Sequence, residues 1–412
     1  MSASPRERLL DLLGVAAELE HGLCLQYLFT AASIKDSLAE GGLTLAELTA
    51  TRTWKANLYF VAAQEMLHLV QVANLAAAVG GAVNLHRPNF PQRPGYYPTD
   101  LPWGLWPFAL DTTALYACYE RPTDAPPMPG PWTSDDLAVD ARSELDPFGH
   151  LPSRFARPRA TSHETIAQLY GEIEGLVDEP AMIVGDPADQ IPGVLVDLPD
   201  LVEVTDRASA NEAIERIVAQ GEGAPLDRAD SHYGIFVAMH REHRRLAEQR
   251  PDFAPARDVQ ANPLSRLHVD NTYPGWRLIE DPAACEVNDL CSALYRLLLD
   301  LLADVFAAGT PAPERGTHAQ AALRLMTAGV KPLGDLLTTM PMGDPSPRRA
   351  RYAGASFEMD SAPAPAGPHA AERIAALAAW TRRIAGVATP AAPVLTALAD
   401  TLTDVGAAMA QG

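Results

Sequence analysis

Residues 64–71 read QEMLHLVQ, and they place a carboxylate and an imidazole three positions apart in an apolar, helix-forming run. Alternating steps of four and three residues connect the members of one helix face, namely Trp54, Leu58, Val61, Glu65, His68, Val72, Leu75 and Val79. A buried carboxylate costs several kcal/mol unless it is neutralised or paired. The stretch therefore predicts a buried polar site on an otherwise apolar helix, and a bound metal would compensate its charge.

Three further predicted helices repeat this pattern of one carboxylate among apolar residues. Glu20 lies in the apolar stripe of the first helix, Glu172 in that of the third and Glu222 in that of the fourth. Each helix thus places one glutamate where its neighbours are apolar, which predicts that the four carboxylates meet in the interior of a helical bundle.

A second histidine follows a break in the fourth helix. Pro225 ends that helix, Asp230 or Ser231 can cap the next one, and His232 begins a new apolar stripe. On one continuous helix Glu222 and His232 would be separated by a rise of about 15 Å. We therefore predict that the chain leaves the helix around Glu222 and re-enters so that Glu222 and His232 bind the same metal.

Four glutamates and two histidines are the ligand types of di-iron sites in helical bundles. Carboxylates with a few imidazoles suit iron or manganese, and two divalent ions neutralise four carboxylates. The predicted metal ligands are Glu20, Glu65, His68, Glu172, Glu222 and His232. Glu174, Glu215 and His243 are alternatives for the later positions, and a metal-free seam of mutually bonded polar groups is the competing interpretation. Tyr27 and Tyr170 are assigned to core packing.

Helical periodicity dominates the chain, and the fold class is all-α. We predict a four-helix bundle with long loops over residues 1–255 and an additional helical region over 256–412 that packs on the bundle. The helices are expected at about 5–38, 50–80, 161–177, 207–222, 230–249, 285–308, 315–338, 368–387 and 391–410. Proline-rich connections separate them, and the one over 87–108 is long enough to act as a binding loop.

The composition excludes several classes of function. The chain has 412 residues, 47% hydrophobic content and a formal net charge of −20, which argues against nucleic acid and anionic membranes as partners. Its four scattered cysteines form no metal-binding pair and indicate a reducing compartment. No apolar run is long enough to predict a transmembrane helix. These features predict a cytoplasmic protein, and they allow a homo-oligomer.

Two blocks of the sequence resemble the ferritin-like domain of iminophenyl-pyruvate dimer synthase and its relatives. They are ELEHGLCLQYLFTAASIK (18–35) and QEMLHLVQVANLAAAVGG (64–81). AIERIVAQGEG (213–223), SHYGIF (231–236) and GASFEMD (354–360) are also similar, so the resemblance runs from about 5 to 360. It implies a ferritin-like bundle with a metal site. Glu20, Glu65 and His68 match the first-half motif of that family, and Glu222 and His232 match its second half.

The resemblance also implies a function. Members of this family couple two imines derived from aromatic amino acids by oxidation. We therefore predict an oxidase or oxygenase of secondary metabolism that uses two iron ions (or manganese), dioxygen and a small amine-bearing or aromatic substrate. The alternative is an iron-handling or redox-protection protein without an organic substrate, and long loops beside the polar seam favour the enzyme.

Overall fold

The computed structural model describes residues 4–92, 96–97, 101–122, 163, 165–221, 228–267, 276–307, 310–343, 351–387 and 391–410. Their regular structure is almost entirely helical, so the prediction of an all-α chain is confirmed. The helices are α1 Pro5–Ser33, α2 Leu45–Ala78, α3 Leu110–Tyr119, α4 Ile166–Val177, α5 Gly193–Val196, α6 Arg207–Gln220, α7 His232–Gln249, α8 Pro282–Phe306, α9 Ala312–Leu325, α10 Lys331–Leu337, α11 Ala370–Ala385 and α12 Ala392–Met409.

Short elements connect these helices. A π-helical turn joins α9 to α10, and two parallel strands of two residues each pair beside the start of α8. The shorter elements are the 3₁₀ helices Leu38–Glu40, Pro187–Asp189 and Gly367–His369, the π-helix Met326–Val330, and the strands β1 Pro263–Leu264 and β2 Arg277–Leu278. No helix in the described parts of the chain is long and apolar enough to cross a membrane.

Side-chain caps explain where the long helices begin. Ser4 with Glu7 and Thr44 with Glu47 form reciprocal capping boxes that start α1 and α2. Because Thr44 caps it, α2 begins five residues before the expected position 50. The Ser231 side chain accepts a hydrogen bond from the Gly234 N–H and starts α7, which decides between the two predicted caps of this helix.

The bundle uses a different third helix from the one predicted. Helix α1 packs along α2, and α3 packs along α7, while α4 and α6 lie against α1 and α2. The sequence pattern predicts the third bundle helix at 161–177 and no helix at 110–119. Helix α3 is only ten residues long, and it lies between proline-rich stretches that hide its periodicity. The bundle is therefore present, but its third member comes earlier in the chain than expected.

The C-terminal helices pack on the bundle and on one another. Helix α8 contacts α9, α10 and α11, while α11 packs along α12. Helix α10 reaches α1, and the Tyr295 hydroxyl of α8 forms a hydrogen bond with His21 Nε2 of α1. Residues after 255 are thus in direct contact with the helix that carries Glu20, and the division at 255/256 stays a prediction.

Candidate metal centre

Five buried side chains meet where α1, α2, the end of α3 and the start of α7 converge. They form two groups, and within each group the ligand atoms lie within 4.8 Å of one another. Glu20, Glu65 and His68 form the first group, and Glu65, Glu120 and His232 form the second. Each of these five residues is at most 1% exposed, so the cluster has almost no contact with solvent.

Glu65 occupies the centre because its two oxygens face different partners. Its Oε2 lies 3.2 Å from His68 Nδ1, and its Oε1 lies 3.0 Å from His232 Nδ1. Glu20 Oε2 is 3.5 Å from the same nitrogen of His68, and Glu120 Oε2 is 3.3 Å from that of His232. The centroids of the His68 and His232 rings are 5.5 Å apart. Glu65 is thus the one carboxylate that belongs to both groups.

Two glutamine side chains orient the imidazoles. His68 Nε2 lies 3.0 Å from the side-chain oxygen of Gln220, and His232 Nε2 lies 3.1 Å from that of Gln64. An amide oxygen only accepts hydrogen bonds, so each Nε2 carries the proton and donates it. Without a metal each Nδ1 also carries a proton, which it shares with the facing carboxylates. A metal ion would displace that proton while Nε2 keeps its own, which is how a second hydrogen bond prepares a histidine for metal binding.

Two tyrosines complete the polar surroundings of the cluster. The Tyr170 hydroxyl donates to Glu20 Oε1, and the Tyr27 hydroxyl donates to Glu120 Oε1. Burial and the negative charge of Glu120 raise the pKa of Tyr27 well above its usual range, so this phenol remains a donor. Both side chains do more than the core packing that the sequence suggested, since each holds one carboxylate oxygen in place.

The pKa values of the cluster show that it requires positive charge. Burial and the neighbouring Glu65 raise the pKa of Glu20 to about 8, and burial raises that of Glu120. Although burial favours the neutral ring, Glu65 and Glu120 raise the pKa of His232 to about 9. Glu20 and Glu65 likewise raise the pKa of His68 well above its usual range. Protons or metal ions must therefore offset the buried carboxylates.

The residues present fit a pair of metal ions. Glu20 Oε2 and Glu65 Oε1 are buried and have no hydrogen-bond partner among the residues that the structure describes, although imidazole nitrogens lie near both. Three carboxylates and two imidazoles are also the donor types that iron and manganese accept. Two orphaned oxygens in the middle of such a donor set are the expected sign of a cation site.

Glu120 is the member of the cluster that the sequence analysis missed. It caps the C-terminus of α3, at the start of a proline-rich stretch that was assigned to a loop. A signal was present, because Thr113, Tyr116 and Glu120 follow the same steps of three and four as the other stripes. Reading that short pattern as a helix would have placed Glu120 on the inner face.

The structure does not bring Glu172 to the cluster. Its side chain is one-third exposed, and its oxygens bind Arg8 Nε at 2.8 Å and His163 Nε2 at 2.6 Å. The buried face of α4 consists of Ile166, Leu169, Tyr170, Ile173 and Val177. The predicted stripe through Glu172 was therefore displaced by about one residue, and Tyr170 points inwards instead.

The alternative ligands also lie elsewhere. Glu174 and Glu215 are exposed on α4 and α6. His243 is buried on α7, where its ring stacks on Phe108 and approaches Trp54, and burial lowers its pKa to about 4. It is a histidine of the aromatic core.

Glu222 lies outside the described residues, but its neighbour Gly221 adjoins the cluster. Helix α6 ends at Gln220 and α7 begins at His232, so the predicted helix break is present. A Cβ atom on Gly221 would lie 3.7 Å from Glu120 Oε2 and 3.8 Å from His232 Nδ1. The chain that leads into Glu222 therefore passes directly beside the second group.

Two curated relatives are enzymes that are much longer than this chain. Dichlorochromopyrrolate synthase of Lentzea aerocolonigenes is 28% identical over 388 residues, which cover 85% of this chain and 35% of that protein. The 2-imino-3-(indol-3-yl)propanoate dimerase of Chromobacterium violaceum is 26% identical over 346 residues, which cover 80% and 32%. The chain thus spans about a third of the length of these relatives.

A solved structure and a family model agree on the fold. A ferritin-like protein from Caulobacter vibrioides has a TM-score of 0.51 and 18% identity, and the match covers 86% of this chain and 99% of that one. The Ferritin-like family model matches residues 13–241, which include every member of the cluster. This match covers more than half of the chain, and the chain belongs to the Ferritin-like family.

Proposed function

We propose that this protein is a di-metal oxidase or oxygenase of secondary metabolism with two iron ions, or manganese, in the buried cluster. The observation that carries the proposal is the position of Glu65, whose two oxygens each face a different carboxylate–imidazole pair. The ligands would be Glu20, Glu65, His68, Glu120 and His232. Glu222 would supply a fourth carboxylate, which balances the four charges of two divalent ions.

When bound, two iron ions supply the redox capacity to oxidise an organic substrate with dioxygen. The protein contributes the rest. Glu65 would hold both metal positions together, and Gln64 and Gln220 accept from the Nε2 protons so that each Nδ1 is the nitrogen that would bind a metal. Tyr27 and Tyr170 hold their protons on the outer oxygens of the terminal carboxylates, so that the other oxygens of these carboxylates are free to bind.

Part of the 87–108 connection covers the helix that carries Glu20. Trp103 is 1% exposed, and a Cβ atom on Gly22 would lie only 2.8 Å from its indole nitrogen. Gly22 therefore allows this loop to lie directly on α1, two residues from Glu20. A covered site is suited to oxidation because it strengthens the electrostatic interactions within it.

The names of the relatives indicate the substrate class. One is a dichlorochromopyrrolate synthase and the other a dimerase of an indolyl imino acid. We infer that this chain acts on a small aromatic substrate that bears an amine or imine, with oxidative coupling as one form of the reaction. Dioxygen and this small molecule are the proposed partners.

Metal analysis of matched variants tests the proposal. We expect about two iron or manganese ions per chain after anaerobic loading, and less than one in Glu65→Ala, because Glu65 belongs to both groups. Glu120→Ala should lose metal from the second group, whereas Glu172→Ala should keep both ions because that carboxylate binds Arg8 and His163. Circular dichroism shows whether each variant is folded.

Loss of metal from Glu172→Ala but not from Glu120→Ala would overturn the assignment of ligands. A folded protein that takes up no metal would overturn the di-metal proposal itself. Metal uptake without oxidation of an indolyl imino acid would instead favour the iron-handling role.

A further inference from the structure

A cleft lies between α8 and α11, in the part of the chain beyond the Ferritin-like match. Its volume is about 530 Å³, which is within the range of sites for small organic molecules. Its walls come from residues 266–380, and none of the five cluster residues lines it.

One end of the cleft has an excess of positive charge. Arg296 Nε lies 2.8 Å from Asp300 Oδ1, and Arg373 Nη2 lies 2.6 Å from Asp300 Oδ2. Asp300 is only 2% exposed, so it supports both guanidinium groups from beneath. Arg296 Nη1 also donates to Ser361. Among the described residues that line this end, two cations share the single carboxylate of Asp300, and guanidinium groups are well shaped to bind a further carboxylate.

The other end of the cleft is negative. The Ser265 Oγ lies 2.5 Å from Asp289 Oδ1 and 2.9 Å from Glu358 Oε2. Glu358 also accepts from the backbone N–H groups of Ser265 and Arg266. The side chain of the nearby Arg266 lies 3.3 Å from Asp360, so its charge is already paired. Because Glu358 is buried and bound by these backbone N–H groups, Asp289 is the carboxylate of this end that an amine could reach.

Between the two ends the cleft is mainly apolar, but it contains one hydroxyl group without a hydrogen-bond partner among the described residues. Ser292 lies on the same face of α8 as Asp289 and Arg296, and its buried hydroxyl has no hydrogen-bond partner in the described parts of the chain. Leu377 and Trp380 of α11 form the facing wall. Asp289 and Arg296 are separated along the helix by about 10 Å, so a ligand that meets both needs its charges several atoms apart.

We propose that this cleft binds a small aromatic zwitterion whose amine and carboxylate are separated by several atoms. The carboxylate lies at Arg296 and Arg373, the amine lies at Asp289, and the ring packs on Leu377 and Trp380. The site shares no residue with the metal cluster. Its occupancy therefore does not depend on the proposed oxidase function.

Calorimetric titration of the full chain with the dipeptide L-tryptophylglycine tests this proposal. We expect saturable binding of one dipeptide per chain. The N-acetylated dipeptide lacks the amine charge and the C-terminal amide lacks the carboxylate, so each should bind at least about 10-fold more weakly. Equal affinity for all three molecules, or no saturable binding up to about 10 mM, would overturn the proposal.

Variants locate the binding event. Arg373→Met keeps most of the side-chain length and removes the charge, so it should weaken binding at least about 10-fold. Arg382→Met changes an exposed arginine of the same helix that does not line the cleft, and it should bind as the wild type does. Ala376→Phe fills the cleft from an exposed position and should abolish binding without unfolding the chain. Unchanged binding in Arg373→Met and Ala376→Phe would overturn the assignment.

Discussion

Each imidazole of the cluster depends on one amide side chain from a different helix. Gln220 is the last residue of α6, and it accepts from His68, which α2 carries. Gln64 lies on α2 and accepts from His232 of α7. Hydrogen bonds between helices therefore fix the orientation of both imidazole rings. A metal site that uses these rings would be preorganised by the same bonds.

Replacement of Gln220 by leucine should weaken metal binding about 10- to 100-fold and leave the protein folded, because His68 loses the acceptor that fixes its tautomer. Equilibrium titration with iron under anaerobic conditions measures this. Gln249→Leu, an exposed change on α7, is the matched control. If both variants bind metal as the wild type does, the glutamine does not orient His68.

At the level of elements, the start of α2 is tied to the end of α7 by a bidentate ion pair. Arg250 Nε lies 2.8 Å from Glu47 Oε1, and Arg250 Nη2 lies 2.7 Å from Glu47 Oε2. This pair holds the pKa of Glu47 at about 2. The same carboxylate accepts from the Thr44 N–H, so the cap of α2 and the link to α7 use one side chain.

The Glu47 pair should make stability depend on acid pH. The pKa of Glu47 is lower in the folded chain than its usual value near 4.5, so its contribution is present above that value and is lost as pH falls towards about 2. Glu47→Gln keeps an acceptor for the cap and should reduce the free energy of unfolding by roughly 1–2 kcal/mol at pH 7. In urea denaturation the difference from wild type should shrink at pH 3. A constant difference would contradict this.

Gly221, which follows the last residue of α6, lies beside the cluster and has no side chain. Gly221→Leu would push a side chain towards Glu120 and His232, so we expect metal affinity to fall by about tenfold with little loss of helix. Gly175→Leu adds the same side chain to α4 at a position where a Cβ atom would meet nothing within 4 Å. Metal titration and circular dichroism compare the two. If Gly221→Leu and Gly175→Leu bind metal with equal affinity, Gly221 does not adjoin the bound ions.

At the scale of the whole molecule, contacts run across the predicted division at residue 255. Arg257 Nη1 lies 2.8 Å from the Ala32 carbonyl, and its Nε lies 2.6 Å from Glu40 Oε2. Asn89 exchanges two hydrogen bonds of 2.8 Å with the backbone of Met359. The later helices therefore complete the surroundings of α1 and of the connection that covers it.

Because of these contacts we expect the full chain to unfold in a single cooperative transition in scanning calorimetry. Arg257→Met should lower the midpoint of that transition by a few degrees, since it removes the ion pair with Glu40 and the guanidinium donor of the Ala32 and Ile34 carbonyl groups. Arg245→Met changes an arginine whose side chain is 54% exposed, and it should leave the midpoint unchanged. Two separate transitions, with only one shifted by Arg257→Met, would show that the division at residue 255 separates independent units.

Helical periodicity alone predicts the all-α fold and the part of the site that α1 and α2 carry. Periodicity placed Glu20, Glu65 and His68 on inner helix faces, and all three are in the cluster. The spacing of Glu65 and His68 is fixed by helix geometry alone. The break before His232 was predictable for the same reason, because proline and glycine act on their own neighbourhood.

Packing between distant segments determines which other carboxylate joins these three residues. Glu172 and Glu120 both lie on or beside apolar stripes, but packing turned Tyr170 inwards on α4 and left Glu172 to Arg8 and His163. Glu120 reaches the cluster because α3 packs along α7. A helix pattern states which residues share a face, whereas the partner of that face is set by contacts between segments far apart in the chain, which no local pattern contains.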